Sequence, residues 1–459
     1  MFKQRLLPLS VFVALSVPAA VQAQSAQAQN TDNSEIRTQL ELLKARIAEL
    51  EQKLEQQEQQ TDRQVAKQDS KDTGDAVERP DRVNNSQKIQ IADVEALEER
   101  LEDTENTPIE VGGAVRFQYE YSDYNQGNKD RVGDLDFDIF RLDFRGEMGD
   151  VILSAQYRWF QYMDVVQHAY FGYNFTDDWQ GQIGVVSVPF GIMPYNSHSY
   201  FFNSTFYAGL EDEYDGGVRF LYRTDEWDFD IGFYKADEQG GVDTAASSRA
   251  DRYSYETVGV RLPGNGIYAD PELPIAESNS WALRGARKIQ FANDSTLELG
   301  LSAQWGDLHD GADSIGDRQA FAAHAKYNYE RWEFMAQVAD YKYDVEVQNE
   351  GIVVGAYAYY DTIPASATFY TANVAYNLPV DFGPVTSLTF YNDFSLMTNK
   401  QGYQEDTTMN VLGMALAAGG VYTYFDIVTA RNQPFAGGSM TGESEDTNTR
   451  FNINFGYYF

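Results

Sequence analysis

The sequence predicts an all-β protein: a 16-stranded antiparallel transmembrane β-barrel preceded by an N-terminal α-helical coiled-coil segment. Three observations predict it. Apolar and polar residues alternate with a period of two from Ile109 to the end of the sequence. The alternating segments run to about ten residues, the length of a strand that crosses an outer membrane. The composition sets 31 Tyr and 36 Gly against 13 Pro and no Cys, an inventory suited to many strands and many turns. A mean hydropathy of -0.48 is too polar for a bundle of transmembrane helices. With 43% hydrophobic and 14% aromatic residues, the chain is also too apolar for wholesale disorder. The absence of cysteine excludes disulfides, thiol catalysis and Cys-ligated zinc. Asp and Glu total 70 against 35 Lys and Arg, a net charge of -35, which excludes nucleic acid as a partner.

Residues 1–23 read as a signal peptide. Lys3 and Arg5 precede the apolar run 6–17, and Val21-Gln22-Ala23 forms a small-residue cleavage site. Residues 24–34 form a flexible N-terminus, and 35–106 a periplasmic coiled-coil and linker segment. Ile36, Leu40, Leu43, Ile47, Leu50 and Leu54 recur at steps of four and three, an a/d seam. In that register Arg46 meets Glu51, and Lys53 meets Glu58, on a parallel in-register partner. A lone amphipathic helix packed on its own barrel is the alternative. Residues 57–88 have almost nothing to bury and read as a linker. Val94, Leu97 and Leu101 restart the spacing before Thr107-Pro108 closes it.

The barrel domain, 109–459, follows. Val111, Val115, Phe117, Tyr119 and Tyr121 alternate with Ala114, Arg116, Gln118 and Glu120. Phe140, Leu142 and Phe144 alternate with Arg141, Asp143 and Arg145. The same rhythm recurs at 153–159, 218–223, 297–305 and 450–459. A soluble sandwich also alternates, but it must hide its apolar face against a second sheet. Here the polar face carries Arg, Glu and Gln on strand after strand, and the apolar face is tipped with Tyr, Trp and Phe, as an interfacial girdle requires. Short turns at 146–150, 176–178 and 223–226 alternate with long polar loops such as 122–136. Both ends lie on the periplasmic side, so the strand count is even. Sixteen strands follow if the alternating stretch 253–262 belongs to a long outer loop, and eighteen if its region enters the wall. Sixteen strands leave room for an aqueous channel.

The runs FRLDFRG (140–146), AYFGYNF (169–175) and GQIGVVSVPFG (181–191) resemble the outer-membrane phosphate-selective porin (porin O and P) family, most clearly over 109–225. The terminal FNINFGYYF, closing on Phe459, resembles the signal read by the barrel-assembly machinery. A coiled coil ahead of a porin also resembles some sugar and dicarboxylate porins. The resemblance implies a homotrimer of 16-stranded barrels in the bacterial outer membrane, in contact with its lipid and lipopolysaccharide. It also implies a third outer loop that folds inward and narrows the channel.

Counting strands upward from the periplasm makes 189–215 the third outer loop. It holds Tyr195, Tyr200, Phe201, Phe202, Phe206 and Tyr207, then Glu211, Asp212, Glu213 and Asp215. So many exposed aromatics would be an aggregation hazard, so the loop should pack on the inner wall or over a trimer interface. Arg116, Arg141, Arg145, Arg158 and Arg219 all fall on the inward phase, because an unpaired guanidinium facing lipid costs a few kcal/mol. They read either as a basic wall facing the acidic end of the loop or as charges neutralised by neighbours on the same strands. The barrel region carries 50 Asp and Glu against 22 Lys and Arg, a balance that argues against phosphate selectivity. Bridging of lipopolysaccharide by Ca²⁺ or Mg²⁺ at acidic loops is chemically open, yet no metal site is assigned. His168, His198, His309 and His324 are the whole histidine set. No nucleophile elbow, phosphate loop or dinucleotide fingerprint occurs, so neither a catalytic residue nor a cofactor is expected. The functions that remain are passive diffusion of small hydrophilic solutes or ions, a specific sugar or dicarboxylate channel, and a tether between outer membrane and cell wall.

Overall fold

The computed structural model describes residues 109–244 and 246–459. The signal peptide, flexible N-terminus and coiled coil expected over 1–106 lie outside the described residues. Sixteen antiparallel strands close into one barrel. Its first half comprises β1 (Ile109–Ser122), β2 (Asp134–Met148), β3 (Val151–Trp159), β4 (Asp164–Asn174), β5 (Trp179–Ser187), β6 (Tyr214–Arg223) and β7 (Trp227–Asp237). Two short strands follow, β8 (Glu256–Val260) and β9 (Leu273–Pro274), and the wall resumes at β10 (Ala276–Gln290). It continues through β11 (Thr296–His309), β12 (Ser314–Tyr329) and β13 (Trp332–Val345). Two more short strands, β14 (Ile352–Ala356) and β15 (Tyr359–Ile363), precede β16 (Ser366–Phe382), β17 (Val385–Thr398), β18 (Thr407–Ala418), β19 (Val421–Arg431) and β20 (Asn448–Tyr458). A short helix, α1 (Gln126–Asp130), lies in the first outer loop.

The wall closes where β1 pairs with β20, from Ala114 opposite Tyr458 to Ser122 opposite Arg450. The backbone N–H of Gly113 donates to the Phe459 carbonyl at 2.9 Å, so the last residue is bonded to the first strand. Closure satisfies the edge groups that lipid could not. Tight turns join alternate strand pairs at one end. Gly149 (φ 61°) and Gly383 (φ 59°) supply left-handed backbone there with open space around each.

The two faces of the wall separate as the alternation requires. Large apolar side chains on the outer phase are exposed: Phe171, Leu299, Leu301, Phe321, Tyr370 and Leu412 among them. Ser302, Gln304, Arg318, His324, Gln337, Asp393 and Asp426, on the inner phase, are buried. A soluble protein would not expose such a belt; a lipid-facing barrel must.

The region between β7 and β10 is an outer loop, as the 16-strand count requires, but its alternating stretch is a real strand. Residues 256–260 form β8, which joins β9, β14 and β15 in a separate four-stranded sheet of order β15-β14-β8-β9. All five residues of β8 are buried, and so are all five of β14. This sheet and the segment between β5 and β6 fill much of the interior. Phe190, Phe201, Phe206, Tyr255, Val260, Ile275, Ile352 and Phe369 belong to one apolar cluster. The interior is therefore less open than a 16-stranded wall alone would leave it.

The outer phase makes a quantitative prediction. Leu301, 68% exposed near the middle of β11, should resist charge. Leu301→Arg should lower unfolding stability in lipid vesicles by about 2–4 kcal/mol, measured by urea denaturation. A loss below the experimental error would contradict the lipid-facing assignment.

Candidate functional site

The segment between β5 and β6, residues 188–213, is the third outer loop. It starts at β5 and hydrogen-bonds to inward-facing side chains around the wall. The Gly191 N–H donates to Ser302 Oγ on β11 (3.0 Å), and the Ile192 N–H to Gln337 Oε1 on β13 (2.9 Å). Asn196 Nδ2 donates to Thr371 Oγ1 on β16 (3.0 Å). Asp393 on β17 accepts both the His198 and Ser199 N–H, at 2.7 and 2.8 Å. Asp426 on β19 accepts the Tyr200 N–H at 3.3 Å. Carboxylates that take backbone N–H groups substitute for the ladder a loop lacks.

Gly191 explains part of the GQIGVVSVPFG motif. Its φ of 58° is left-handed, and a Cβ there would collide with the Gln337 side-chain amide. Its carbonyl accepts from Arg284 Nε at 2.7 Å. Phe202 also adopts a left-handed φ of 59°, and its ring stacks on Phe206 with centroids 4.3 Å apart.

Facing this segment is a cavity of ≈570 Å³. Arg116, Arg141 and Arg158 line it together with Tyr200, Phe202 and Tyr207, so the structure brings these six expected residues to one place. Arg450, Tyr195 and Tyr253 line it as well. Each of the four guanidiniums lies over an aromatic ring. Arg116 is 5.5 Å from the centroid of Tyr200, Arg141 5.5 Å from Tyr458, Arg158 4.3 Å from Tyr253, and Arg450 4.9 Å from Phe201. Arg116 also pairs with Asp138 at 2.8 Å, Arg141 with Asp143 at 2.8 Å, and Arg450 with Glu120 at 2.9 Å. Arg158 has no ion pair among the described residues; its Nε donates to Gln156 Oε1 at 2.6 Å. The cavity thus keeps one cation without a carboxylate of its own.

The other expected residues lie elsewhere. Arg145 is exposed near the β2–β3 turn. Arg219 is 5% exposed and pairs with Asp230 at 2.6 Å. Glu211 accepts from the Asn196 N–H (2.8 Å) and Thr205 Oγ1 (2.7 Å), which ties the loop to itself. Burial pushes its carboxyl up to about 8. Asp212 accepts from the hydroxyls of Tyr214 (3.0 Å) and Tyr253 (2.5 Å). Glu213 is 2% exposed, 3.9 Å from Arg318. None of the three acids lines the cavity. Asp136, Asp138 and Glu120 are the carboxylates that do.

Sequence reasoning passed over Arg450 and His198. Arg450 was visible as the polar phase of the last strand, alternating with Phe451. Tyr253 opens the alternating stretch 253–262, but that rhythm carries no sign that the residue reaches the cavity from an outer loop.

A closed barrel with an apolar outer belt and a polar interior defines an outer-membrane β-barrel protein. Comparison with solved structures finds similar chains. The chain is similar to OmpT of Vibrio cholerae in its trimer form, with 13% identity over 76% of this chain and 99% of that chain, at a TM-score of 0.47. It is similar to the anion-selective porin from Comamonas acidovorans (12% identity, 76% and 99% covered, TM-score 0.48). The outer membrane channel DcaP of Acinetobacter baumannii is comparable (11%, 76% and 97%, TM-score 0.46). At such scores likeness transfers no function. No protein-family model and no curated protein matches the chain, so the resemblance to phosphate-selective porins stays one of motif.

His198 offers a pH test of the loop's anchorage. Nδ1 faces Asp393 Oδ1 at 2.8 Å and Nε2 faces Glu333 Oε1 at 3.0 Å, and carboxylates only accept, so the ring must carry both protons. Burial alone would lower its pKa, but Asp393 and then Glu333 raise it to about 9. A raised folded-state pKa gives stability that is complete below the unfolded value of about 6.5 and is lost as pH rises through 9. His198→Gln should therefore melt well below the wild type at pH 6, with the gap closing by pH 10. A pH-independent gap would contradict the charged ring.

Proposed function

We propose that the protein is an outer-membrane porin, a channel for passive diffusion of small hydrophilic solutes or ions. The third loop narrows its lumen against a wall of arginines. The observation that carries this reading is the cavity itself. The loop crosses the interior, and Arg116, Arg141, Arg158 and Arg450 line the space beside it, over aromatic rings. A fixed row of guanidiniums in a low-dielectric wall sets ion preference. Compared with the sequence expectation, the opposing charge comes from Asp136, Asp138 and Glu120 rather than from Glu211, Asp212 and Glu213. Of the four arginines, Arg158 alone has no carboxylate within ion-pair distance among the described residues.

A second reading is favoured by the same lining. Aromatic faces beside guanidiniums suit a sugar or a dicarboxylate, in which case transport saturates. Homotrimer formation, contact with lipopolysaccharide and delivery by the barrel-assembly machinery accompany the porin reading as proposals.

Planar-bilayer recording distinguishes the readings. The reconstituted protein should conduct, and Arg116→Gln/Arg141→Gln/Arg158→Gln should shift the reversal potential in a KCl gradient toward cation preference. Unchanged selectivity would remove the arginines from the mechanism, and absence of conductance would remove the channel. Block by oligosaccharide or dicarboxylate at millimolar concentration would favour the specific channel over general diffusion.

A further inference from the structure

Where the third loop rejoins the wall, carboxylates gather around Glu256. One oxygen each from Glu213, Glu256 and Glu277 lie within 4.8 Å of one another, and so do oxygens of Asp215, Glu238 and Glu256. These residues come from separate elements. Glu213 ends the loop and Asp215, two residues on, is the second residue of β6; Glu256 is on β8 of the inner sheet; Glu238 follows β7, and Glu277 is on β10. The neighbouring cations are fewer. Arg318 pairs with Glu277 at 2.6 Å, Arg252 with Glu238 at 3.2 Å, and both Arg252 and Arg249 with Asp237, at 3.3 and 2.6 Å. Six carboxylates therefore face three guanidiniums.

The pairing is also incomplete atom by atom. Glu213 and Glu256 are 2% and 1% exposed, yet neither oxygen of either side chain meets a hydrogen-bond donor among the described residues. Asp215 Oδ1 and Glu238 Oε1 are likewise unpartnered. A buried carboxylate with no donor is costly, and two facing each other cost more. Either these groups share protons or a cation binds between them.

We propose that the cluster centred on Glu256 is a binding site for one Ca²⁺ ion, which fastens the base of the third loop to the inner sheet and the wall. Ca²⁺–oxygen distances of 2.3–2.6 Å place opposed ligands about 4.6–5.2 Å apart, which the 4.8 Å span accommodates. Mg²⁺ keeps several waters and seldom enters an all-carboxylate cage, so the larger ion fits this buried set. A single divalent ion also cancels most of the local negative excess. The proposal is independent of whether solutes pass through the barrel.

The full chain, refolded into detergent without lipopolysaccharide and stripped with EGTA, provides the test. Tb³⁺ should bind at one ion per chain with tyrosine-sensitised emission, since the Tyr343 hydroxyl lies 3.4 Å from Glu277 Oε1. Ca²⁺ should displace it, equal Mg²⁺ should not, and Ca²⁺ should raise the melting temperature of the stripped protein. Glu256→Gln should abolish the sensitised emission, whereas Asp177→Asn/Asp178→Asn, in an exposed turn, should leave it intact. Should Glu256→Gln fail to fold, the wild-type titration decides alone. Absence of stoichiometric binding in the wild type, equal displacement by Mg²⁺, or undiminished emission from folded Glu256→Gln would each overturn the site.

Discussion

Lipid offers no hydrogen bonds, and the rest of the structure depends on that constraint. Every backbone group in the wall must find its partner within the sheet, and polar side chains at the level of the hydrocarbon must turn inward. The two-residue period follows directly, and so does closure, since an edge strand at β1 would leave unpaired groups in hydrocarbon. The same constraint concentrates charge inside. Arginines, carboxylates and histidines that a soluble protein would scatter over its surface are crowded into one enclosed volume. There they must neutralise each other, stack on rings, or bind something else.

The third loop shows how the crowding is used. Its backbone is tied down by wall carboxylates: Asp393 takes two consecutive N–H groups and Asp426 a third. Its aromatic side chains cover guanidiniums that would otherwise reach into the lumen as mobile charges. Arg116, for example, is held by Asp138 and capped by Tyr200, whose hydroxyl donates to the same Asp138 at 3.2 Å. Loop and wall thus stabilise each other through groups that neither could leave unpaired.

Phase was legible in the sequence because a strand repeats every two residues whatever its neighbours do. Arg116, Arg141 and Arg158 could be placed on the inner face, and Leu299 or Leu301 on the outer, from alternation alone. Partnership was not legible. Whether Arg116 pairs with Glu120 on its own strand or with Asp138 on β2 depends on inter-strand register, and β1 and β2 shift register between Arg116 and Phe117. The acidic run 211–215 read as charge for a lumen, because charge is normally solvated; packing of the inner sheet over it was invisible. The stretch 253–262 had a strand's rhythm but no sign of which sheet would take it, and an inner sheet of four short strands has no simple sequence signature.

The anchoring of residues 191–204 has a bearing on voltage response. Swinging this segment aside would break backbone bonds to six strands at once, β10, β11, β13, β16, β17 and β19, and strip buried Asp393 of its donors. An applied field acting on a few elementary charges supplies only about 2.3 kcal/mol per charge per 100 mV. A field of that size falls short of what freeing so many bonds requires, so the innermost span stays fixed like the frame of a window.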